Sequence, residues 1–177
     1  MGRPDWEMEY VEFFVARAPA LRRAAYAMCG DWQVAEDLVQ TTFVRLYVHW
    51  RRVRAETADA YARRILTNLF LSGRRIRGRE LPTDLLPDRA APSAVADVAG
   101  SRVDVAAALA GLPARQRVVV ALRYVDDLPI SEVAELLGLA EGTVKSHCAR
   151  AAKALRAALA APSTSPAATQ TARGGPR

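Results

Sequence analysis

The stretch PISEVAELLGLAEGTVKSHCARAAKAL, residues 129–155, restricts the fold more than any other part of this chain. Ile130, Val133, Ala134 and Leu137 recur at i, i+3, i+4 and i+7, the buried stripe of a short helix. Gly138 then supplies a turn, because the residue just past a helix end commonly needs a positive φ. From about Glu141 a second helix follows, with Val144, Cys148, Ala151, Leu155 and Leu159 on one face. Two short helices about a glycine turn read as a helix-turn-helix, whose second helix can enter a DNA major groove. The face opposite that stripe carries Gly142, Thr143, Lys145, Ser146, Ala149, Arg150 and Lys153. Small residues permit close approach, and hydroxyls and cations suit phosphates and base edges. An ordinary antiparallel helix pair with a solvated face is the competing account.

Charge distribution bears on that choice. The 177-residue chain carries a net charge of +6, which favours a polyanionic partner. The cations are concentrated upstream of the helix-turn-helix: residues 51–79 hold nine basic and two acidic side chains, net +7. Residues 1–50 are net −2 and residues 80–104 net −3. A lone duplex reader does not need that upstream block. Half the residues are hydrophobic, enough for one core or two small ones. Cys29 and Cys148 fall on apolar helical faces, as expected of two buried reduced thiols. Neither they nor His49 and His147 show metal-ligand spacing. No signal-peptide pattern and no long apolar run is present, so the expected location is cytoplasmic, without membrane insertion.

In chain order, residues 6–29 read as helical, with apolar Val11, Phe14, Val15, Leu21, Ala25 and Met28. Pro19 is expected to break this run into two helices, Gly30 to close the second, and Asp31 to cap the next. That next helix, about 32–50, has Ala35, Leu38, Val39, Phe43, Leu46 and Trp50 as its core stripe. Its other side sets Asp37, Thr41, Val44 and Val48 between Glu36 and Gln40. A stripe mixing apolar, acidic and amide groups fits a protein-docking face, and burial between neighbouring helices is the alternative.

Residues 51–57, with Arg51, Arg52 and Arg54, read as a basic loop. A helix from about Ala58 to Arg77 follows, with Ala62, Ile65, Leu66, Leu69 and Phe70 inward. Its other face carries Tyr61, Arg64, Asn68, Ser72 and Arg75. An aromatic ring, an amide, a hydroxyl and guanidiniums in one row can stack on bases, bond their edges and hold phosphates. Arg74, Arg77 and Arg79 extend the cationic end.

Periodicity fails from Gly78 to about Ser101, where Pro82, Pro87, Pro92 and excess acid mark a linker. Helix resumes at about Val103–Ala110 and again at Ala114–Tyr124, with Val118, Val119 and Leu122 inward. Residues 161–177 are of low complexity and are expected to be disordered. The expected architecture is all-α: a helical domain over 1–79, a linker over 80–101 and a helix-turn-helix domain over 102–160.

AEDLVQTTFVRLYVHW (35–50) is similar to region 2.2, and LPARQRVVVALRYVDDL (112–128) with GTVKSHCARAAKAL (142–155) to region 4, of one family. On these motifs, in this order across a short linker, the chain resembles a group 4, or extracytoplasmic-function, sigma factor of bacterial RNA polymerase. The resemblance implies a promoter-specificity subunit that binds core RNA polymerase and promoter DNA. Glu36, Asp37, Gln40, Thr41, Val44 and Val48 would dock on the clamp helices of the polymerase β′ subunit. Arg51, Arg52, Arg54, Tyr61, Arg64, Asn68, Ser72 and Arg75 would capture the melted −10 element. Gly142, Thr143, Lys145, Ser146, His147, Arg150 and Lys153 would read the −35 element as duplex. The family further implies a contact with the β flap and an anti-sigma partner covering the polymerase-binding surfaces. Two departures stand out: His147 replaces an Arg common in relatives, and Pro129 replaces a Ser-type cap.

A dimeric helix-turn-helix repressor or activator is the other reading, since TVKSH also resembles the reading helix of response-regulator activators. It leaves the Asp37–Val48 face and the +7 block unexplained. An enzyme acting on nucleic acid lacks a phosphate-binding loop, a metal-ligand cluster or a nucleophile–base pair, so no catalytic residue, metal or cofactor is expected.

Overall fold

The computed structural model describes residues 4–79, 105 and 108–160, and within them helices α1 (Asp5–Cys29), α2 (Trp32–His49), α3 (Ala55–Arg79), α4 (Ala114–Val120), α5 (Ile130–Leu137) and α6 (Glu141–Ala160). The expected linker, most of the helix at 103–110 and the tail lie outside these residues.

Helices α1, α2 and α3 pack pairwise into a bundle. Gly30 ends α1 at φ 75°, its N–H donating to the Tyr26 carbonyl at 2.7 Å. Asp31 then caps α2 as its position predicts: Oδ1 accepts from the backbone N–H of Gln33 at 2.7 Å and of Val34 at 3.1 Å. The interior of the bundle holds Leu21, Val39, Phe43, Leu46, Trp50 and Leu66. An aromatic set closes one end, where Tyr10 donates to the Phe43 carbonyl at 2.9 Å and meets Trp50 edge-on at 5.2 Å.

Three expectations for this half need correction. Pro19 does not split α1, which runs unbroken through it. The proline costs one backbone bond on an exposed side, while Phe13, Ala18 and Leu21 packed on the core hold the turns either side in register. The inward residues of the first turns are Trp6, Tyr10 and Phe13, whereas Val11, Phe14 and Val15 are exposed. Finally, the basic segment is shorter than expected: Trp50–Arg52 form a 3₁₀ turn and α3 already starts at Ala55.

In the second half, α4 passes into a π turn at Ala121–Val125. Its residues are buried nearly all round, including Arg117, Val118, Val119, Val120, Ala121 and Leu122. The helix-turn-helix forms as its periodicity predicts. Gly138 sits at φ 63°, its N–H directed at the Glu135 carbonyl at 3.3 Å, and the Leu139 N–H reaches the Ala134 carbonyl at 2.9 Å. This paired arrangement, a Schellman turn, satisfies the last carbonyls of α5 and reverses the chain into α6. Val144 and Ala151 seal α6 against the rest.

The two halves share a core. One continuous apolar cluster joins Ala24, Ala27 and Met28 of α1 and Phe70 of α3 to Val118, Val119, Leu122, Leu128, Val133 and Val144. The Arg117 guanidinium lies 5.5 Å over the Phe70 ring within it.

Candidate nucleic-acid interface

On α2, Asp37, Gln40 and Thr41 are exposed, as are Val44 (64%) and Val48 (73%). The alternative expectation, burial of this stripe between helices, is not met. Glu36 differs from its neighbours: it is half-buried and paired with Arg22 at 2.7 Å, which ties α1 to α2. Sequence reasoning missed the apolar side chains of α1, where Val11, Phe14 and Val15 face solvent and Phe14 meets Phe43 at 4.6 Å. The signal was present in Trp6, Tyr10 and Phe13, whose i, i+4, i+7 spacing marks the true inward stripe.

On α3, Arg64, Asn68 and Ser72 are exposed along one side, with Arg51, Arg52 and Arg54 exposed just before the helix. Tyr61 is half-buried against the bundle core, so its ring is held in place rather than free to rotate into solvent. The Arg75 side chain lies outside those described. Arg52, Arg54, Tyr61 and Arg64 line a cleft of about 750 Å³ whose opposite wall is Leu128, Glu132, Glu135 and Leu136. Arg52, Arg54, Tyr61 and Arg64 therefore share a cleft with the first helix of the helix-turn-helix, a juxtaposition the sequence did not disclose.

Beside this row sits Arg63, which sequence reading assigned no role. Its Nη1 donates to Asp59 at 2.6 Å, one turn back on α3. Its Nε donates to Asp126, in the segment leading into α5. Asp59 in turn accepts from the Arg17 Nε of α1 at 2.7 Å. Burial works against the Arg63 charge, but the hydrogen bond and charge of Asp126, with Asp59, outweigh it and hold its pKa above the usual value. The guanidinium stays charged throughout the accessible pH range.

On α6, Gly142, Thr143, Lys145, Arg150 and Lys153 are exposed and Ser146 and His147 half-buried. Lys145 lies 3.7 Å from Glu141, one turn earlier. The His147 Nδ1 is turned inward with no hydrogen-bond partner among the described residues. Cys29 and Cys148 are both free thiols and half-buried; burial pushes the Cys29 thiol up, against the opposing effects of a hydrogen bond to the Asp31 carbonyl and the charge of Arg117. No group of His, Cys, Asp and Glu able to hold a metal occurs among the described residues. No helix there is long and apolar enough to cross a membrane.

Residues 13–80 match the family Sigma-70 region 2, and residues 102–155 the family Sigma-70, region 4. The chain is 36% identical over 156 residues to the RNA polymerase sigma-E factor of Streptomyces coelicolor, covering 87% of this chain and 88% of that protein. It is also 36% identical over 149 residues to the ECF RNA polymerase sigma factor SigL of Mycobacterium tuberculosis, covering 80% of this chain and 84% of the relative. Among solved structures, it resembles the sigma factor RpoE in complex with the anti-sigma factor NepR from Bartonella quintana. That likeness has a TM-score of 0.68 at 28% identity and covers 85% of this chain and 96% of the other. CnrH, solved in complex with the cytosolic domain of CnrY, shares the fold at a TM-score of 0.60 and 21% identity, over 86% of this chain and 88% of the other.

Proposed function

We propose that this chain, which belongs to the sigma-70 family of RNA polymerase sigma factors that serve transcription initiation, reads the −35 element as duplex and captures the melted −10 element. Residues 1–79 form the polymerase-docking and −10 unit, residues 80–101 the linker and residues 102–160 the −35 unit. The observation that carries the reading is the two-sided construction of α2. One side is buried in the bundle, while the other presents Asp37, Gln40, Thr41, Val44 and Val48 to solvent. Exposed valines between acidic and amide groups give a partner both apolar area and a polar register.

In this reading Arg51, Arg52, Arg54, Arg64 and Arg75 hold the single-stranded backbone, and Tyr61, Asn68 and Ser72 meet unstacked bases. Trapping a base outside the stack makes melting less costly, because binding to the single strand offsets lost stacking. In α6, Gly142 and Thr143 let the helix approach the groove, and Lys145, Ser146, His147, Arg150 and Lys153 supply contacts to phosphates and base edges. The chain itself catalyses nothing; the polymerase supplies the chemistry, in the cytoplasm. The β′ clamp helices and the β flap are its polymerase contacts. An anti-sigma factor is a further partner, as in the solved complex of RpoE with NepR.

The test is co-purification and promoter-dependent transcription with bacterial core RNA polymerase, comparing the wild type with Asp37→Arg. Stable association that the substitution weakens about tenfold or more supports the docking face. Tight binding to duplex DNA with no affinity for core polymerase overturns the reading and favours a free-standing repressor.

A further inference from the structure

The 3₁₀ turn Trp50–Arg52 has a hollow on either side of it. Arg52 and Arg54 line the cleft that Tyr61 and Arg64 share with α5. Arg51 lines a smaller recess of about 220 Å³, whose other walls are Trp6, Glu9, Trp50 and Val53. Val53 borders both hollows, so a strand laid along the arginines passes between two openings. Of the five residues around the smaller one, only Arg51 has a role in the promoter reading.

The walls of this recess are held in advance. Trp50 is 6% exposed, its indole met edge-on by Tyr10 at 5.2 Å and at a tilt by Phe13 at 5.1 Å. Trp6 is half-buried and packs on Tyr47 at 5.5 Å. Two indoles fixed by other rings make a stacking surface that loses little side-chain freedom when a flat ligand arrives. Sites for drug-sized molecules run from about 300 to 1,000 Å³. The recess falls below that range and suits a single heterocycle. Glu9, exposed at its rim, presents a carboxylate that only accepts hydrogen bonds. It favours a base edge bearing an amino group, such as cytosine N4, and is repelled by the carbonyl oxygens of thymine.

Charge decides between occupants. Two indoles and a carboxylate also suit a cation, but Arg51 stands on the same rim and repels one. That arginine attracts the phosphate beside an inserted base. The first turns of α1 are acidic, with Asp5, Glu7, Glu9 and Glu12 and no cation before Arg17. The phosphates therefore stay on the Arg51–Arg54 side, and a neutral base enters the recess.

We propose that the recess of Trp6, Glu9, Trp50 and Arg51 is a second base pocket, taking an unpaired, amino-bearing base from the strand held on the arginines. The inference rests on the −10 reading, which supplies the strand; the recess adds a further point of sequence choice.

The test uses the full chain and labelled single-stranded homo-oligonucleotides of about 12 nucleotides, a usual site size. Oligodeoxycytidylate is expected to bind about fivefold or more tightly than oligodeoxythymidylate at one salt concentration. Glu9 is exposed, so Glu9→Gln leaves the core untouched. It is expected to shrink the preference to about twofold or less, because an amide donates as well as accepts. Trp6→Ala lowers cytidylate affinity about fivefold or more. In a Trp32→Phe chain both remaining indoles are recess walls, and cytidylate quenches their fluorescence. Equal affinity for the two oligonucleotides, or a preference that survives Glu9→Gln, overturns the pocket. If Arg64→Ala still weakens both oligonucleotides in that case, the −10 reading stands without it. Absence of binding to either oligonucleotide sinks that reading and the pocket together. Should Trp6→Ala and Glu9→Gln weaken only association with core polymerase, the recess holds a basic side chain of a protein and the proposal fails.

Discussion

Helices α3 and α6 both carry basic, hydroxyl-bearing rows, yet they meet the rest of the molecule differently. The outward rows of both helices are exposed, but on α3 Tyr61 and Arg64 line a cleft whose far wall holds Glu132 and Glu135, and Arg63 on the same helix is committed to Asp126. Under the proposed function the physical demands on the two helices differ as well. A duplex-reading helix needs only to be accessible, because the groove is a preformed shape. A surface that traps unpaired bases, if left open, binds any single strand it meets through charge and stacking. Packing against a second element is one way to restrain it.

The shared core couples the two halves most strongly. Leu122 belongs to the second half by sequence but packs in a cluster with Met28 and Phe70 of the first. Leu122→Ala is expected to cost about 3 kcal/mol, the usual range for a fully buried leucine. All three tryptophans, Trp6, Trp32 and Trp50, lie in the first half, so their fluorescence reports that half alone. A denaturation midpoint from tryptophan fluorescence that falls with the Leu122 variant shows the halves unfold as one unit. An unchanged fluorescence midpoint, with helicity lost early, shows two independent units, in which α3 and α6 are equally unconstrained by the other half.

A smaller effect separates the two rows by strand type. Tyr61→Ala is expected to weaken single-stranded DNA binding by about 1–3 kcal/mol, the scale of one base–aromatic stack, and to leave duplex binding unchanged. Arg150→Ala is expected to do the reverse, by about 1–3 kcal/mol at a cognate duplex if the guanidinium reads a base edge. Titrations of both variants against both strand types, at one salt concentration, check the pair. Equal losses on both strand types would mean that each row is only a general phosphate grip.

How far the sequence disclosed this division depended on the range of the physics involved. Local signals were legible: the Asp31 cap, the Gly138 turn, the α2 core stripe and the exposed Arg64–Asn68–Ser72 side all follow from helical periodicity and capping within a few residues. The misreadings came where tertiary packing overrode local preference. Pro19 remains inside α1 because Phe13, Ala18 and Leu21 on either side of it pack on the core, and Val11 and Val15 face out because three aromatic side chains claim the inside. Arg63 was invisible as anything but one more cation in a +7 block. Its partner lies 63 residues away, and no periodicity connects α3 to Asp126. For the same reason an acidic pair on α5 gave no sign that it would face the basic row.

The finest test concerns Lys145, which sits on the open row but is not entirely uncommitted. Its ammonium lies 3.7 Å from the Glu141 carboxylate, and both side chains are more than half exposed. An exposed pair one turn apart contributes about 0.3–0.5 kcal/mol, and salt screens even that. Lys145→Ala is therefore expected to leave the thermal midpoint almost unchanged, which calorimetry checks. In DNA binding the substitution has a distinct signature. Losing one phosphate contact lowers the magnitude of the slope of log K against log salt by about 0.9 for a duplex and weakens binding to all duplex sequences alike. Glu141→Gln gives the opposite sign: with the carboxylate gone, the ammonium is free for phosphate and nonspecific duplex affinity rises slightly. If Lys145→Ala instead alters preference between duplex sequences at constant salt slope, the ammonium reads a base. The open row would then specify sequence from its first turn rather than merely position the helix.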